Sequence, residues 1–159
     1  MRHGPAEDSA PSGVDGDRAL TPSGRERVRA VAKVLVAEKE EPLRIVTSPL
    51  VRAVQTAEIV AIATKIGDRR GTVEVRREVA PGGDAAGLVY RLAAEGAKRV
   101  MLVGHEPDLS SLAGGLLGGF GRPFEKAMVV GIHPIGAGAR PKLRFVLDPK
   151  LLTLQAEPG

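Results

Sequence analysis

The chain has 159 residues, of which 43% are hydrophobic and 26% charged, and this composition is typical of a globular protein with its own core. The length predicts a single domain over residues 1–159. Cysteine is absent, which excludes disulfides, thiolate catalysis and cysteine-ligated metal centres. No stretch has the length and hydropathy of a membrane span or a secretory signal, so we expect a cytoplasmic protein without a membrane partner.

The charge balance indicates an anionic substrate. Lys and Arg number 23 and Asp and Glu 19, so the net charge is +4. Because only 3% of the residues are aromatic and no long basic run occurs, we expect no nucleic-acid partner. The three histidines, His3, His105 and His133, lack the close spacing of a zinc site, so we expect neither a metal nor a cofactor.

Hydrophobic periodicity and capping residues predict alternating helices and strands. Thr21 and Pro22 have the pattern of a helix start. The further predicted elements are a strand at 43–47, a helix from Ser48 and Pro49 to about Ile66, a half-exposed strand at 72–79, a helix capped by Asp84, a buried strand at 100–103, a helix from Pro107 to Leu116, and strands at 127–132 and 143–147. This order predicts an α/β fold with a mostly parallel sheet and a C-terminal hairpin.

Ionisable residues lie at the ends of these predicted strands. Arg2 and His3 stand at the start of the chain, Arg52 follows the first predicted strand, and His105 follows the third. In open α/β sheets ligands bind at the carboxyl ends of the strands, where helix N-termini also favour anions. The positive charge of two arginines and two histidines in one crevice suits a tetrahedral dianion such as phosphate. A neutral imidazole can also attack phosphorus and carry the phosphoryl group covalently.

Three motifs resemble the histidine phosphatase superfamily, whose fold is phosphoglycerate-mutase-like. They are RHG at 2–4, TSPLVRAVQTAE at 47–58 and VGHEPDLS at 103–110, in the family's order. The short chain is similar in length to the SixA-type phosphohistidine phosphatases. The resemblance implies a three-layer α/β/α sandwich and a metal-independent phosphatase with a covalent phosphohistidine intermediate.

The resemblance also implies a role for each of the four residues. His3 would be the nucleophile, and Arg2 and Arg52 would bind the phosphate. His105 would bind a phosphate oxygen and stabilise the transition state.

The general acid stays open at this point. A phosphoester leaving group needs a proton, usually from a carboxylic acid of raised pKa. Larger family members place an acid after the strand that matches 72–79, which points to Glu78, but Asp84 is an equal candidate and Glu106 a weaker one. A phosphohistidine substrate can dispense with a dedicated acid, because a protonated imidazole departs readily.

One feature departs from the family pattern. Family members have an apolar strand of about five residues before RHG, whereas only Met1 precedes Arg2 here. We therefore expect the first strand of the domain to be missing from this sequence, and the natural chain to be longer. A missing central strand would leave buried backbone groups unpaired, at a cost of about 1–3 kcal/mol each.

Three functions fit this pattern, and one of them is favoured. The polar segments 4–20 and 80–87 are too short to enclose a pocket, and an open crevice admits a phosphorylated side chain of another protein. The favoured function is a phosphohistidine protein phosphatase whose partner is a phosphorylated protein, such as a histidine-phosphotransfer domain of a signalling relay. The alternatives are a small-molecule phosphomonoesterase for sugar or nucleotide phosphates and a non-catalytic phospho-binding module.

Overall fold

The computed structural model describes residues 1–156, which alternate helices with strands before ending in three consecutive strands. Within these residues the helices are α1 (Pro22–Ala37), α2 (Val51–Ala63), α3 (Ala85–Ala94) and α4 (Asp108–Leu117). The strands are β1 (Arg44–Thr47), β2 (Thr72–Val75), β3 (Val100–Val103), β4 (Val129–His133), β5 (Lys142–Asp148) and β6 (Thr153–Ala156). Short 3-10 turns cover Asp15–Asp17, Ile66–Arg69 and Arg77–Val79.

The strands form two three-stranded sheets. The first is parallel with the order β2-β1-β3, and the second is antiparallel with the order β4-β5-β6. In the parallel sheet Thr47 lies opposite Val75 on one side and opposite Val103 on the other. The carboxyl ends of the three strands therefore share one edge. The predicted α/β fold, with helices around a parallel sheet and antiparallel strands at the C-terminal end, is confirmed.

Residues 1–3 lie between the two sheets and link them. The His3 N–H donates to the Gly104 carbonyl (3.1 Å) just beyond β3, and the Arg2 N–H donates to the Met128 carbonyl (3.0 Å) just before β4. These hydrogen bonds place the RHG motif at the edge where the parallel strands end.

A groove of about 760 Å³ separates β3 from β4 behind residues 1–3. Its walls are mostly apolar and include Leu102, Leu112 and Ile132. Since β3 pairs with β1 on its other side and β4 with β5, the groove lies between two strand edges.

Helices cover both faces of the parallel sheet. In β1, Ile45 packs into the core cluster under α1 and α2, whereas Val46 packs into the cluster under α3. Consecutive strand residues point to opposite faces, and both side chains are fully buried. The arrangement is therefore the three-layer sandwich that the family resemblance implies.

Two predicted strands differ from the observed ones. The strand at 72–79 stops at Val75, because the following 3-10 turn carries Val79 into the core under α3. The predicted C-terminal hairpin has a third strand, β6, whose residues are mostly exposed, so it lacks the apolar alternation that predicts strands. No helix within residues 1–156 is long and apolar enough to cross a bilayer.

The helix predicted from Ser48 begins three residues later, at Val51, with Leu50 at its N-cap. The prediction was wrong about the cap, since Ser48 lies two residues before the N-cap, where its hydroxyl is 2.7 Å from His105 Nε2. The Thr21 cap is confirmed, since its hydroxyl accepts the Gly24 N–H (2.9 Å).

Candidate active site

His3 and His105 face each other at the carboxyl edge of the parallel sheet. Their ring centroids are 5.2 Å apart, with an angle of 51° between the ring planes. Both residues are buried, with 5% and 4% of their surface exposed. The two rings are close enough for one phosphoryl group to contact both.

The His3 ring is held in the form that a nucleophile requires. Its Nδ1 lies 2.7 Å from the Gly4 carbonyl oxygen, which can only accept, so Nδ1 carries the proton and Nε2 keeps a free lone pair. Burial is the main cause that lowers the pKa of His3 to about 4, and the nearby His105 and Arg52 act in the same direction. The imidazole is therefore neutral at pH 7.

His105 is also neutral in the free site. Burial, followed by the charge of Arg52, lowers its pKa to about 4. Its Nε2 lies 2.7 Å from the Ser48 hydroxyl oxygen, while its Nδ1 is buried and has no hydrogen-bond partner among the described residues. The negative charge of a bound phosphoryl group would raise the pKa of His105 and favour a proton shared with a phosphoryl oxygen.

Two guanidinium groups supply the positive charge of the site. Arg2 and Arg52 both lower the pKa values of the two histidines. The Nε of each arginine is buried and, within residues 1–156, has no hydrogen-bond partner. Buried N–H groups are rarely left unpaired, so this crevice suits an anion. From the sequence we expected the histidines to add to the positive charge as well, but burial keeps them neutral.

The Nη atoms of the two guanidinium groups hydrogen-bond to other parts of the chain. Arg2 Nη1 donates to the Phe124 carbonyl (2.8 Å). Arg52 Nη1 donates to the Asp15 carbonyl (3.0 Å), and Arg52 Nη2 donates to Asp15 Oδ2 (3.2 Å). The structure thus brings Arg2, Arg52 and the two histidines together, as the sequence predicts.

Gly4 of the RHG motif joins the first loop to α2 and α1. Its N–H donates to the Thr56 hydroxyl (3.0 Å), which donates in turn to the Arg52 carbonyl (2.7 Å). A Cβ at Gly4 would lie 2.6 Å from Val28 Cγ2, so a side chain at this position would force one of the two residues to shift. Glycine therefore lets the loop that carries His3 pack directly against α1.

Ser48 is part of the site, although its position in the sequence predicts only a helix cap. Its N–H donates to the Val103 carbonyl (3.0 Å), and its hydroxyl accepts the Leu50 N–H (3.2 Å) while lying beside His105. Strand register was the signal that could have identified this role. Because β1 and β3 end level with each other, the residues that follow them are neighbours.

The structure places Glu78 and Asp84 in the connection between β2 and α3. Glu78 Oε1 pairs with Arg76 Nη2 (2.7 Å), and this hydrogen bond is the main reason why the pKa of Glu78 falls to about 2. A carboxyl group that is ionised at neutral pH cannot supply a proton, which argues against Glu78 as the general acid. Asp84 accepts the Gly87 N–H (2.9 Å) and is the N-cap of α3.

Three further carboxylates lie near the site, and two of them affect the pKa of His105. Glu106 accepts the Ser110 N–H (3.0 Å) at the start of α4. Asp108 and Asp15 both raise the pKa of His105, and neither was a candidate from the sequence. Within residues 1–156 no group of three or more His, Asp or Glu side chains could hold a metal ion.

Comparison with known proteins identifies the family. The model of the histidine phosphatase superfamily (branch 1) matches residues 1–80. The phosphohistidine phosphatase SixA of Escherichia coli is 36% identical over 123 residues, which are 75% of this chain and 73% of that protein. The chain belongs to the histidine phosphatase superfamily, as its motifs predict, and it is a phosphatase. The alternative of a non-catalytic phospho-binding module is set aside.

Solved structures agree with this assignment. The protein histidine phosphatase SixA complexed with tungstate has a TM-score of 0.85 at 27% identity, over 96% of this chain and 97% of that one. A mycobacterial glucosyl-3-phosphoglycerate phosphatase complexed with VO3 has a TM-score of 0.67 at 21% identity, over 89% and 94% of the two chains. The second similarity extends to the fold alone.

Proposed function

We propose that this phosphatase removes the phosphoryl group from phosphohistidine on a partner protein, through a covalent intermediate on His3 and without a metal ion. One observation supports the covalent step above all. His3 is buried and neutral with a free lone pair on Nε2, its ring centroid lies 5.2 Å from that of His105, and the Nε–H groups of Arg2 and Arg52 are buried and unpaired among residues 1–156.

The proposed reaction has two displacements at phosphorus. In the first, His3 Nε2 bonds to phosphorus while the phosphorus–nitrogen bond of the substrate breaks, and the substrate imidazole, already protonated on its other ring nitrogen, leaves as a neutral base. In the second, water attacks phosphorus, the bond to His3 breaks, and inorganic phosphate is released. In both steps Arg2, Arg52 and His105 would donate to the phosphoryl oxygens as charge shifts in the transition state.

The carboxylates around the site support a substrate with a good leaving group. Arg76 holds the pKa of Glu78 near 2, and Asp84 is occupied as a helix cap. An alkoxide leaving group would need an acid of raised pKa, whereas a protonated imidazole leaves without one. Phosphohistidine therefore suits this site better than a phosphoester, and the similarity to a phosphohistidine phosphatase agrees with that choice.

A small-molecule phosphomonoesterase is the second candidate. The burial of the two histidines favours it, because both are almost fully enclosed by the protein, and sites that enclose their ligand are typical of small molecules. The fold is also shared with a phosphatase that acts on a sugar phosphoglycerate.

A comparison of substrates separates the two candidates. The kcat/KM for a phosphohistidine-carrying phosphotransfer domain should exceed that for p-nitrophenyl phosphate, sugar phosphates and nucleoside monophosphates by at least an order of magnitude. Chelating agents should leave both rates unchanged. Fast hydrolysis of an ester, with no turnover of the phosphoprotein, would contradict the proposed substrate, and inhibition by chelators would contradict the metal-free reaction. His133→Ala serves as the control variant, because His133 is exposed on β4.

A further inference from the structure

The Arg52 guanidinium is a buried charge among like charges. Only 8% of its side chain is exposed. Arg2 is a second cation nearby, since both arginines lower the pKa values of the two histidines. A buried cation needs a counter-charge and satisfied hydrogen bonds. Within residues 1–156 its ion-pair partner is Asp15, from the 3-10 turn of the first loop.

We propose that Asp15 is a positioning residue, which orients Arg52 so that the guanidinium binds the phosphoryl group of the substrate. The inference rests on the phosphate-binding role of Arg52 in the proposed function. It does not depend on whether the phosphoryl group comes from a protein or from a small molecule.

The hydrogen bonds with Asp15 use only part of the Arg52 guanidinium. Asp15 takes one N–H from Nη1 of Arg52 and one from Nη2, through its carbonyl oxygen and Oδ2 respectively. The Nε–H of Arg52 is left buried and unpaired among the described residues. Asp15 therefore fixes one end of the guanidinium and leaves the Nε side free for the substrate.

Asp15 is itself held in place by Arg18. Arg18 Nη1 donates to Asp15 Oδ1 (2.8 Å), and Arg18 Nε donates to the Glu7 carbonyl (2.7 Å). The two carboxylate oxygens of Asp15 thus bind different arginines, of which Arg52 is the buried one.

The ends of the loop are closed by backbone hydrogen bonds. Glu7 N–H donates to the Ala19 carbonyl (2.8 Å), Ala6 and Leu20 form an antiparallel bridge, and the Leu20 N–H donates to Gln55 Oε1 on α2 (2.8 Å). These contacts fix the position of the turn relative to α2, which carries Arg52. The loop should therefore keep its fold when the Asp15 carboxylate is removed.

The test is the affinity of the site for inorganic phosphate and tungstate, measured by titration calorimetry on Asp15→Asn. We expect both anions to bind about tenfold more weakly, because a charge-assisted hydrogen bond no longer orients the guanidinium. The KM for p-nitrophenyl phosphate should rise by a similar factor, with a smaller change in kcat, since binding of the ground state is weakened along with the transition state.

Asp17→Asn is the matched control, because Asp17 lies in the same 3-10 turn and accepts a hydrogen bond from Ser12 (2.7 Å) rather than from Arg52. Its anion affinity should equal that of the unmodified protein. Arg18→Ala is a second test variant, which keeps the Asp15 carboxylate but removes its outer partner, and it should weaken anion binding by less than Asp15→Asn does.

Thermal unfolding separates positioning from folding. The Asp15 side chain is 65% exposed, and in Asp15→Asn the carbonyl of residue 15 still accepts from Arg52 Nη1, so this variant should unfold within a few degrees of the unmodified protein. Unchanged or tighter anion binding by Asp15→Asn would overturn the inference, and tighter binding would show that Asp15 competes with phosphate. Because the measurement uses simple anions, a failure of the proposed phosphohistidine substrate would leave this result intact.

Discussion

At the residue scale, the site gains its reactivity from buried groups that have lost contact with water. The two imidazoles are neutral because burial lowers both pKa values to about 4. The two arginines remain the cations of the site. Their Nε–H groups have no partner among the described residues and are therefore free to bind an anion. A neutral nucleophile beside fixed positive charge is the combination that attack on a phosphoryl dianion requires.

The Ser48→Ala variant tests whether the Ser48 hydroxyl orients the His105 ring. Ser48→Ala removes the oxygen that lies 2.7 Å from His105 Nε2, so a buried ring nitrogen loses its partner. We expect kcat to fall about tenfold, since loss of one buried hydrogen bond costs roughly 1–3 kcal/mol. The measurement is steady-state kinetics, together with the ring nitrogen chemical shifts of His105.

Ser110→Ala is the control for this variant, because the Ser110 hydroxyl donates to the Pro107 carbonyl at an exposed site. Activity of Ser48→Ala equal to that of Ser110→Ala, with unchanged His105 shifts, would show that Ser48 does not orient the ring.

At the scale of elements, the sequence predicted the helices and strands whose formation depends on residues that are neighbours in the chain. The Thr21 cap with its following proline and the buried strands β1 and β3 depend on neighbours in sequence, and the structure has them where they were predicted. The stop of β2 at Val75 depends on the tertiary burial of Val79, and β6 exists because it pairs with β5. Neither contact leaves a periodic signal in the sequence.

The site residues divide in the same way into those that local motifs predict and those that depend on contacts between distant parts of the chain. The motifs placed Arg2, His3, Arg52 and His105 correctly at one edge, because strand ends predict where ligands bind. Asp15 was missed because its contact with Arg52 spans 37 positions and comes from an irregular loop. Ser48 was misread because a serine before a helix is usually a cap, and only strand register reveals its other neighbour.

The Gly4→Ala variant tests whether the first loop packs directly against α1. Gly4→Ala places a Cβ 2.6 Å from Val28 Cγ2, and overpacking of this kind costs about 1–3 kcal/mol. We expect the free energy of unfolding, measured by urea denaturation, to fall by that amount. Val28→Ala removes the clashing methyl groups, so the double variant should lose less stability than the sum of the two single variants. Strictly additive losses would be evidence that the two residues do not clash.

At the scale of the whole molecule, the buried histidines make stability depend on pH. Their pKa values are about 4 in the folded protein, against 6.5 for an unperturbed histidine, so the unfolded chain binds more protons between these values. The stabilisation is complete above pH 6.5 and is lost as the pH falls toward 4. Each histidine contributes on the order of 3 kcal/mol to this loss.

Urea denaturation at pH 7.5 and pH 5 measures the effect. The free energy of unfolding of the unmodified protein should be clearly smaller at the lower pH, and the double variant His3→Gln/His105→Gln should lose much of that dependence. His133→Gln should retain the full dependence, since His133 is exposed. Equal pH dependence in the double variant and the unmodified protein would show that the buried pair is not responsible.

The central claim is that His3 takes the phosphoryl group. Rapid mixing of the enzyme with a phosphohistidine protein, followed by alkaline quench and mass spectrometry, measures it directly. We predict an acid-labile phosphoryl group on the peptide that contains His3, formed within the first turnover and absent from His3→Ala. Turnover without any label on His3, or a label on His105 instead, would contradict this claim.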